Sequence, residues 1–375
     1  MRTLLTNGRA LVDGAIRDGL DVAVEGDVIV AVGAGLEGDA RFDLGGGLLA
    51  PGFIDTQVNG GGGVLFNDEP TPEGIAAIGA AHRTYGTTGF LPTLISDDLE
   101  VIERAIDATT EAIARGVPGV LGLHIEGPFL NAARKGVHDA SKFRTLDEAA
   151  VELLSRPTGG VTLVTLAPET TDPETISALA ARGVVIAAGH TDATYEQTRS
   201  ALEAGVTGFT HLFNAMSPLS HRAPGAVGAA LESRTAWCGL IVDGRHVDSV
   251  VLKLALRCRP MDRFMLVTDA MPGVGHDQPW FTLQGKRIEV RDGVCVDPNG
   301  TLAGSHLDMA GAVRNAMTMM DLTAAEALEM ASASPAAFLR MGDRRGRIAP
   351  GQAADLVLLD ETLTVTRNWI AGREG

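Results

Sequence analysis

Three residues in this chain have the types a divalent cation needs, and each closes an apolar run: Glu126 in "LGLHIEGPFL", His190 in "VVIAAGHTDA" and His211 in "GFTHLFNAM". Two neutral imidazoles and one carboxylate suit a borderline-soft divalent ion and leave a position open for water. Glu126 poses the sharpest question. The run before it reads as a buried strand, and a carboxylate buried at its end without a partner costs on the order of several kcal/mol. A cation shared with His190 and His211 removes that cost; the alternative is a polar, metal-free cluster where the strands end. His124, two residues earlier, faces the same way one layer deeper and reads as a hydrogen-bonded core histidine, with support of the ligands as the alternative. Asp269 in "FMLVTDAMPG" stands at the end of another apolar run. A carboxylate there can take a proton from attacking water and deliver it to a leaving group; its structural alternative is a turn acceptor or helix cap.

These residues need a frame that brings strand ends together. Runs with strand character start near Phe53, Gly89, Val120, Val161, Val184, Gly208, Trp237 and Phe264, separated by helix-like segments such as "TPEGIAAIGAAHRTYG". Eight such alternations over about 250 residues fit a (β/α)8 TIM-like barrel, whose chemistry sits at the carboxyl ends of the strands. A doubly wound open sheet is the other fold considered, but the chain has no nucleotide-binding loop; Gly60 to Gly63 lack the Lys-Ser/Thr such a loop needs and read as a tight turn. Residues 1–50 and 346–375 have short alternating runs with Asn-Gly, Glu-Gly-Asp and Gly-Gly-Gly turn signals, expected to form antiparallel strands of one small β-sandwich domain built from both termini. The barrel is expected over 51–345, with a β-hairpin insertion near 278–304 followed by closing helices.

With 375 residues, 45% of them hydrophobic, the chain can bury a large core. Its formal net charge of −16 disfavours nucleic acid as a partner. An anionic substrate would therefore need local basic residues. No apolar run approaches the roughly 20 residues of a membrane span and no signal-peptide core is seen, so a cytoplasmic location without membrane association is expected. Cys238, Cys258 and Cys295 have neither disulfide-framework nor metal-site spacing.

The order of these strand ends resembles the amidohydrolase superfamily, and "GLHIEGPFLNAARKGVHDA", "AAGHTDA", "FTHLFNAMSPL", "APGAVGAAL" and "VTDAMPG" are similar to its N-acetylglucosamine-6-phosphate deacetylase family over almost the whole chain. The resemblance implies hydrolysis of N-acetyl-D-glucosamine 6-phosphate to D-glucosamine 6-phosphate and acetate, in amino-sugar catabolism or cell-wall sugar recycling. It implies Glu126, His190 and His211 as metal ligands and Asp269 as catalytic acid and base. It further implies substrate contacts at Val137, His138, Asn214, Ala215, Arg222, His246, Leu302, Ala303 and Gly304, and a homodimer in which Arg222 or His246 reaches the neighbouring site. Many amidohydrolases place His-x-His at the end of the first strand to hold a second metal; here Gln57-Val58-Asn59 stands instead, and an amide is a poor zinc ligand. One divalent ion per chain, zinc or iron(II), is expected, with Gln57 touching its water or a weak second ion. The residues alone leave open another amidohydrolase reaction, such as deamination or cyclic amide hydrolysis, or an inactive barrel used for binding. His82, within a helical pattern, is expected at the helix surface; His221, His276 and His306 receive no role.

Overall fold

The structure, a computed structural model, describes residues 1–375. The short apolar runs form eight parallel strands: Phe53–Val58, Thr87–Ile95, Gly122–Glu126, Val161–Leu166, Val185–Ala188, Gly208–Phe209, Trp237–Leu240 and Phe264–Leu266, paired in chain order. Each begins at or close to the residue expected from the sequence. The first and eighth strands meet through a parallel bridge between Val58 and Ala270, with Asn59 N–H donating to the Ala270 carbonyl at 2.9 Å and Asp269 N–H to that of Gln57 at 3.0 Å. The sheet therefore closes into a barrel. One layer below, Asp55 reinforces the seam: its carboxylate accepts from the Thr268 hydroxyl and backbone N–H.

The helices between strands bury one face each. In Pro72–Arg83, Thr71 caps the start by accepting from Gly74 N–H at 3.0 Å, and Ile75, Ile78 and His82 share the buried face. His82 is thus fully buried and not at the surface, because its spacing from Ile75 and Ile78 puts it on the core stripe. Its Nε2 bonds the Gly60 carbonyl at 2.9 Å. That carbonyl belongs to a hairpin, Gly60–Gly61 with Val64–Leu65, whose two turn residues Gly62 and Gly63 have φ of 61° and 85°. Both are left-handed, as a two-residue hairpin turn requires. A Cβ on Gly61 would lie 2.8 Å from the His82 ring, so the glycine run also lets helix and hairpin touch.

Strands from both ends of the chain share one six-stranded sheet, in which Leu356–Leu359 pairs antiparallel with Leu48–Pro51. Alternation assigns its two faces. Leu49, Leu356 and Leu358 pack toward a second, four-stranded sheet, while Leu48, Ala50, Val357 and Leu359 join the barrel core. These sheets are not wholly antiparallel: Arg2–Thr6 pairs in parallel with Ala40–Asp43, and Arg9–Val12 with Leu48–Pro51, because the chain crosses between the sheets instead of returning by a tight turn.

The segment expected as a hairpin near 278–304 is a four-stranded antiparallel sheet, Trp280–Leu283, Lys286–Arg291, Val294–Val296 and Leu302–Ser305. Three glycine turns, at Gly285, Gly293 and Gly300, join strands too short to separate in the sequence pattern. The sheet sits on the barrel mouth, packing Phe281, Leu283, Ile288 and Cys295 against Leu65, Ile95 and Met271. Helices Met309–Met320, Ala324–Ala331 and Ala333–Phe338 follow. No helix is long and apolar enough to cross a membrane.

Candidate active site

Glu126 is the last residue of the third strand, and His190 and His211 stand just beyond the fifth and sixth. His190, His211 and Asp269 all have left-handed backbones, with φ of 48°, 31° and 53°. For residues other than glycine this costs on the order of 1 kcal/mol or more each, and such strain clusters where side chains must be aimed. Here it turns each side chain out of the strand pleat and across the barrel mouth.

Their donor atoms converge. His190 Nε2 lies 3.1 Å and His211 Nε2 3.0 Å from Glu126 Oε1, and the two nitrogens are 3.1 Å apart. The tautomer of His190 is set from behind: Nδ1 faces the Arg134 carbonyl at 2.9 Å, which only accepts, so Nδ1 carries the proton and Nε2 presents its lone pair. The loop behind is braced in turn, with Asn131 N–H donating to the His190 carbonyl and Glu169 accepting from Asn131 Nδ2 and Asp192 N–H. Three lone-pair atoms within about hydrogen-bond reach of one another, all buried, are stable only around a shared positive charge. Without a cation that charge is a proton. Burial pushes the Glu126 carboxyl up, but hydrogen bonds and positive charge from His190 and His211 outweigh it and hold Glu126 well below the carboxylate range. Burial pulls the His211 imidazole down, yet Glu126 brings it above its ordinary value. A divalent cation satisfies the same three atoms while displacing that proton. His138 is a rival third ligand, since its ring nitrogen, a Glu126 oxygen and a His190 nitrogen lie within 4.8 Å of one another. The direct contacts of His211 Nε2 with both partners make it the better vertex, and His138 Nδ1 is already bonded to Ser96 at 2.8 Å.

Asp269 faces this triangle. Its Oδ1 accepts from Asn59 Nδ2 at 2.7 Å and Gln57 Nε2 at 3.1 Å, and Gln57 Nε2 also donates to Glu126 Oε2 at 3.0 Å. Burial, then the Glu126 charge, raises the Asp269 carboxyl to about 6, against the opposing effect of His211 and Asn59. That value suits a group that must both accept and release a proton near neutrality.

A cavity of about 260 Å³ opens over these groups. Of the residues anticipated from sequence, Glu126, His190, His211, Asp269, Val137, His138, Asn214, Ala215, His246, Leu302 and Gly304 line it. Arg222 does not: it is exposed, in the loop before the helix Gly225–Glu232, outside the cavity of its own chain. Ala303 is fully buried and faces the other way, as alternation from Leu302 and Gly304 along the strand demands. A larger cavity, about 720 Å³, lies beside the small β domain, but no His, Cys or Glu lines it.

Residues 48–374 match the amidohydrolase family. The chain belongs to that family. It is 46% identical to an N-acetylgalactosamine-6-phosphate deacetylase of Shewanella sp. (strain ANA-3), over 88% of this chain and 84% of that one. Among solved structures, N-acetylglucosamine-6-phosphate deacetylase from Pasteurella multocida superposes with a TM-score of 0.96 at 33% identity, covering all of both chains. A Mycobacterium smegmatis N-acetyl-D-glucosamine-6-phosphate deacetylase, an aspartate-to-alanine mutant in complex with N-acetyl-D-glucosamine-6-phosphate, gives 0.92 at 34% identity, covering 100% of this chain and 99% of that one.

In this amidohydrolase the first strand meets the site through amide nitrogens. Both acceptors of Gln57 Nε2 are carboxylates, so the –NH2 end of the amide must face them and the oxygen turns away from the cation position. Gln57 stands here as a donor bridging Glu126 and Asp269. Asn59, Ile95, Ile241, Met271 and Thr301 also line the cavity and were not singled out from sequence. For Asn59 a signal existed: Asp55, Gln57 and Asn59 alternate on one strand and point the same way.

Proposed function

We propose that the chain is a metal-dependent deacetylase of N-acetylhexosamine 6-phosphates that converts N-acetyl-D-glucosamine 6-phosphate to D-glucosamine 6-phosphate and acetate. The carrying observation is the Glu126, His190 and His211 triangle facing Asp269 at the head of one cavity. A divalent cation bound there, zinc or iron(II), supplies Lewis acidity that polarises the acetamide carbonyl and makes water more acidic. Asp269 accepts a proton from water as the oxygen attacks the carbonyl carbon. It then returns the proton to the sugar nitrogen, which leaves as an amine instead of a strongly basic amide anion. Gln57 and Asn59 hold Asp269 Oδ1, so the other oxygen is free for this transfer. Val137, His138, Asn214, Ala215, His246, Leu302 and Gly304 form the substrate wall in this reading.

The phosphate needs a cation that the acidic chain must supply locally, and Arg222 is suited by its guanidinium. Its loop is exposed beside Leu219, which is 56% exposed, and the helix Ser249–Cys258 carries exposed Val250 and Leu254. That surface supports a homodimer in which Arg222 serves the neighbouring cavity. A cytoplasmic location and a division into 1–50, 51–345 and 346–375 complete the reading.

The relative from Shewanella is named for the galactosamine epimer and the solved structures for the glucosamine epimer. Acetate release should therefore be measured with zinc- or iron-loaded protein on both 6-phosphates and on N-acetylglucosamine without phosphate. Release from at least one phosphate, and far less from the free sugar, is expected. No release from either phosphate would overturn the reading, and equal turnover of the free sugar would remove its phosphate component.

A further inference from the structure

His138 and His246 face the same cavity, and their Nδ1 atoms are held by partners of opposite character. His138 Nδ1 lies 2.8 Å from the Ser96 hydroxyl and 3.3 Å from the Ser96 backbone N–H. A backbone N–H can only donate, so Nδ1 is the acceptor and the ring proton sits on Nε2. His246 Nδ1 lies 2.6 Å from Asp243 Oδ2. Burial of Asp243 is outweighed by hydrogen bonds from His246 and from the Arg245 and His246 N–H groups, which keep its carboxyl below the ordinary value. A carboxylate only accepts, so Nδ1 carries a proton, and in the neutral ring it is the Nε2 lone pair that is free.

Neither partner can easily turn away. Ser96 is fully buried, and its carbonyl accepts from Gln284 Nε2 at 3.0 Å, at the tip of the four-stranded sheet over the mouth. Asp243 Oδ1 accepts from the N–H groups of Arg245 and His246 at 2.8 and 2.9 Å, and both side chains of the pair are under a tenth exposed.

We propose that Ser96 and Asp243 are positioning residues that lock His138 and His246 in opposite tautomers, giving the cavity a fixed donor at His138 and a fixed acceptor at His246. This rests on the deacetylase reading for its kinetic consequences. His138, beside Glu126 and His190, donates to the acetamide oxygen as that atom gains negative charge, an interaction stronger in the transition state than in the ground state. His246 accepts from a sugar hydroxyl, whose character does not change during amide hydrolysis, so it contributes to binding. The two partners should therefore separate kcat from KM.

Ser96→Ala removes the hydroxyl and keeps the backbone donor; kcat is expected to fall about tenfold with KM changed less than about threefold. In Asp243→Asn, Oδ1 keeps its two N–H donors, so the new –NH2 group faces Nδ1 and forces the ring proton to Nε2. KM should rise about tenfold or more while kcat changes less than about threefold. The tautomers are read directly from long-range 1H–15N correlation of ring-labelled histidine in zinc-loaded protein without substrate, assigned with His138→Gln and His246→Gln. His138 protonated at Nε2 and His246 at Nδ1, with His246 reversed in Asp243→Asn, is the expected result. Either wild-type tautomer inverted, or an Asp243→Asn variant that keeps both its tautomer and its KM, overturns the proposal. Because the spectrum needs no sugar, failure of the deacetylase reading shows separately, as absence of acetate release from an enzyme with the expected tautomers.

Discussion

His124 and Glu126 are two residues apart on one strand, both buried, and both point into the barrel, yet the protein treats them in opposite ways. His124 is fully accommodated: Nδ1 meets the Thr93 hydroxyl at 3.2 Å and Nε2 the Thr165 hydroxyl at 2.8 Å, and Thr165 continues to Thr210 at 2.6 Å. Hydroxyls can donate or accept, so this lower layer settles its own hydrogen bonds with a neutral imidazole, and burial pushes His124 down to about 4. One layer up, Glu126 meets imidazole nitrogens whose lone pairs compete, and His211 Nδ1 is buried with no partner at all. A buried polar layer whose members satisfy one another is structural; a layer whose acceptors converge without enough protons is waiting for a cation or a reacting group.

The comparison breaks most visibly at Glu126. Glu126→Gln keeps the shape but removes the only carboxylate among the cation's donors, so zinc content after dialysis should drop from about one per chain to near zero, taking deacetylation with it. Elemental analysis beside acetate release checks this. A variant that retains stoichiometric metal would place the cation elsewhere. Asp269→Asn should act next most strongly, keeping the metal but lowering kcat by about 10²- to 10⁴-fold, the usual value of a positioned proton-transfer group. Asp269 must start as a carboxylate, so kcat/KM should fall as pH falls through its pKa. That value is raised to about 6 without a cation, and a bound cation lowers it, so the acid limb belongs at or below about 6 and should vanish in the Asn variant.

Much of this contrast could be read from the chain. The strand starts, the Glu126, His190, His211 and Asp269 set, and the core role of His124 all follow from period-two alternation and from where apolar runs stop. Three things could not be read. Left-handed backbone at His190, His211 and Asp269 decides where those side chains aim, and nothing in "GHTD" or "VTDA" announces a positive φ on a residue other than glycine. The donor orientation of Gln57 depends on carboxylates 69 and 212 positions away in sequence. The short strands at 280–305 hid two of the three turns that join them. The burial of His82, by contrast, follows from its spacing to Ile75 and Ile78, and only its partner, the Gly60 carbonyl in the hairpin before the helix, had no signal there.

A smaller effect is expected in the lower layer, where the test is stability. His124→Leu matches the volume roughly and leaves Thr165 bonded to Thr210 and Thr93 bonded to Val58 N–H and the Leu91 carbonyl. It should cost about 1–3 kcal/mol in urea denaturation, keep one zinc per chain and change kcat by less than about threefold. Loss of metal with this variant would show that the two layers are not separable.

Asp55 sets the finest test, because it is a carboxylate in the structural layer. Burial raises it to about 7 against hydrogen bonds from Thr268 and the Gln57 N–H, with a further upward push from Asp269. Its ordinary value is 3.8, so between about pH 4 and pH 7 the folded protein keeps a proton that the unfolded chain has released. The unfolded state then binds fewer protons, and this group makes stability fall as pH rises, by at most about 1.4 kcal/mol per unit, levelling off above about 7. Protonated, Asp55 can donate to the Thr268 hydroxyl, which turns to the Gln57 carbonyl 3.4 Å away; an asparagine amide can do the same. Asp55→Asn should therefore match wild type near pH 4, exceed it increasingly up to about pH 7 and by a constant margin above that in parallel urea titrations, and leave metal content and kcat nearly unchanged. A variant less stable at every pH would mean that the seam between the first and eighth strands needs the ionised carboxylate, and that charge in the lower layer is as indispensable as it is at the mouth.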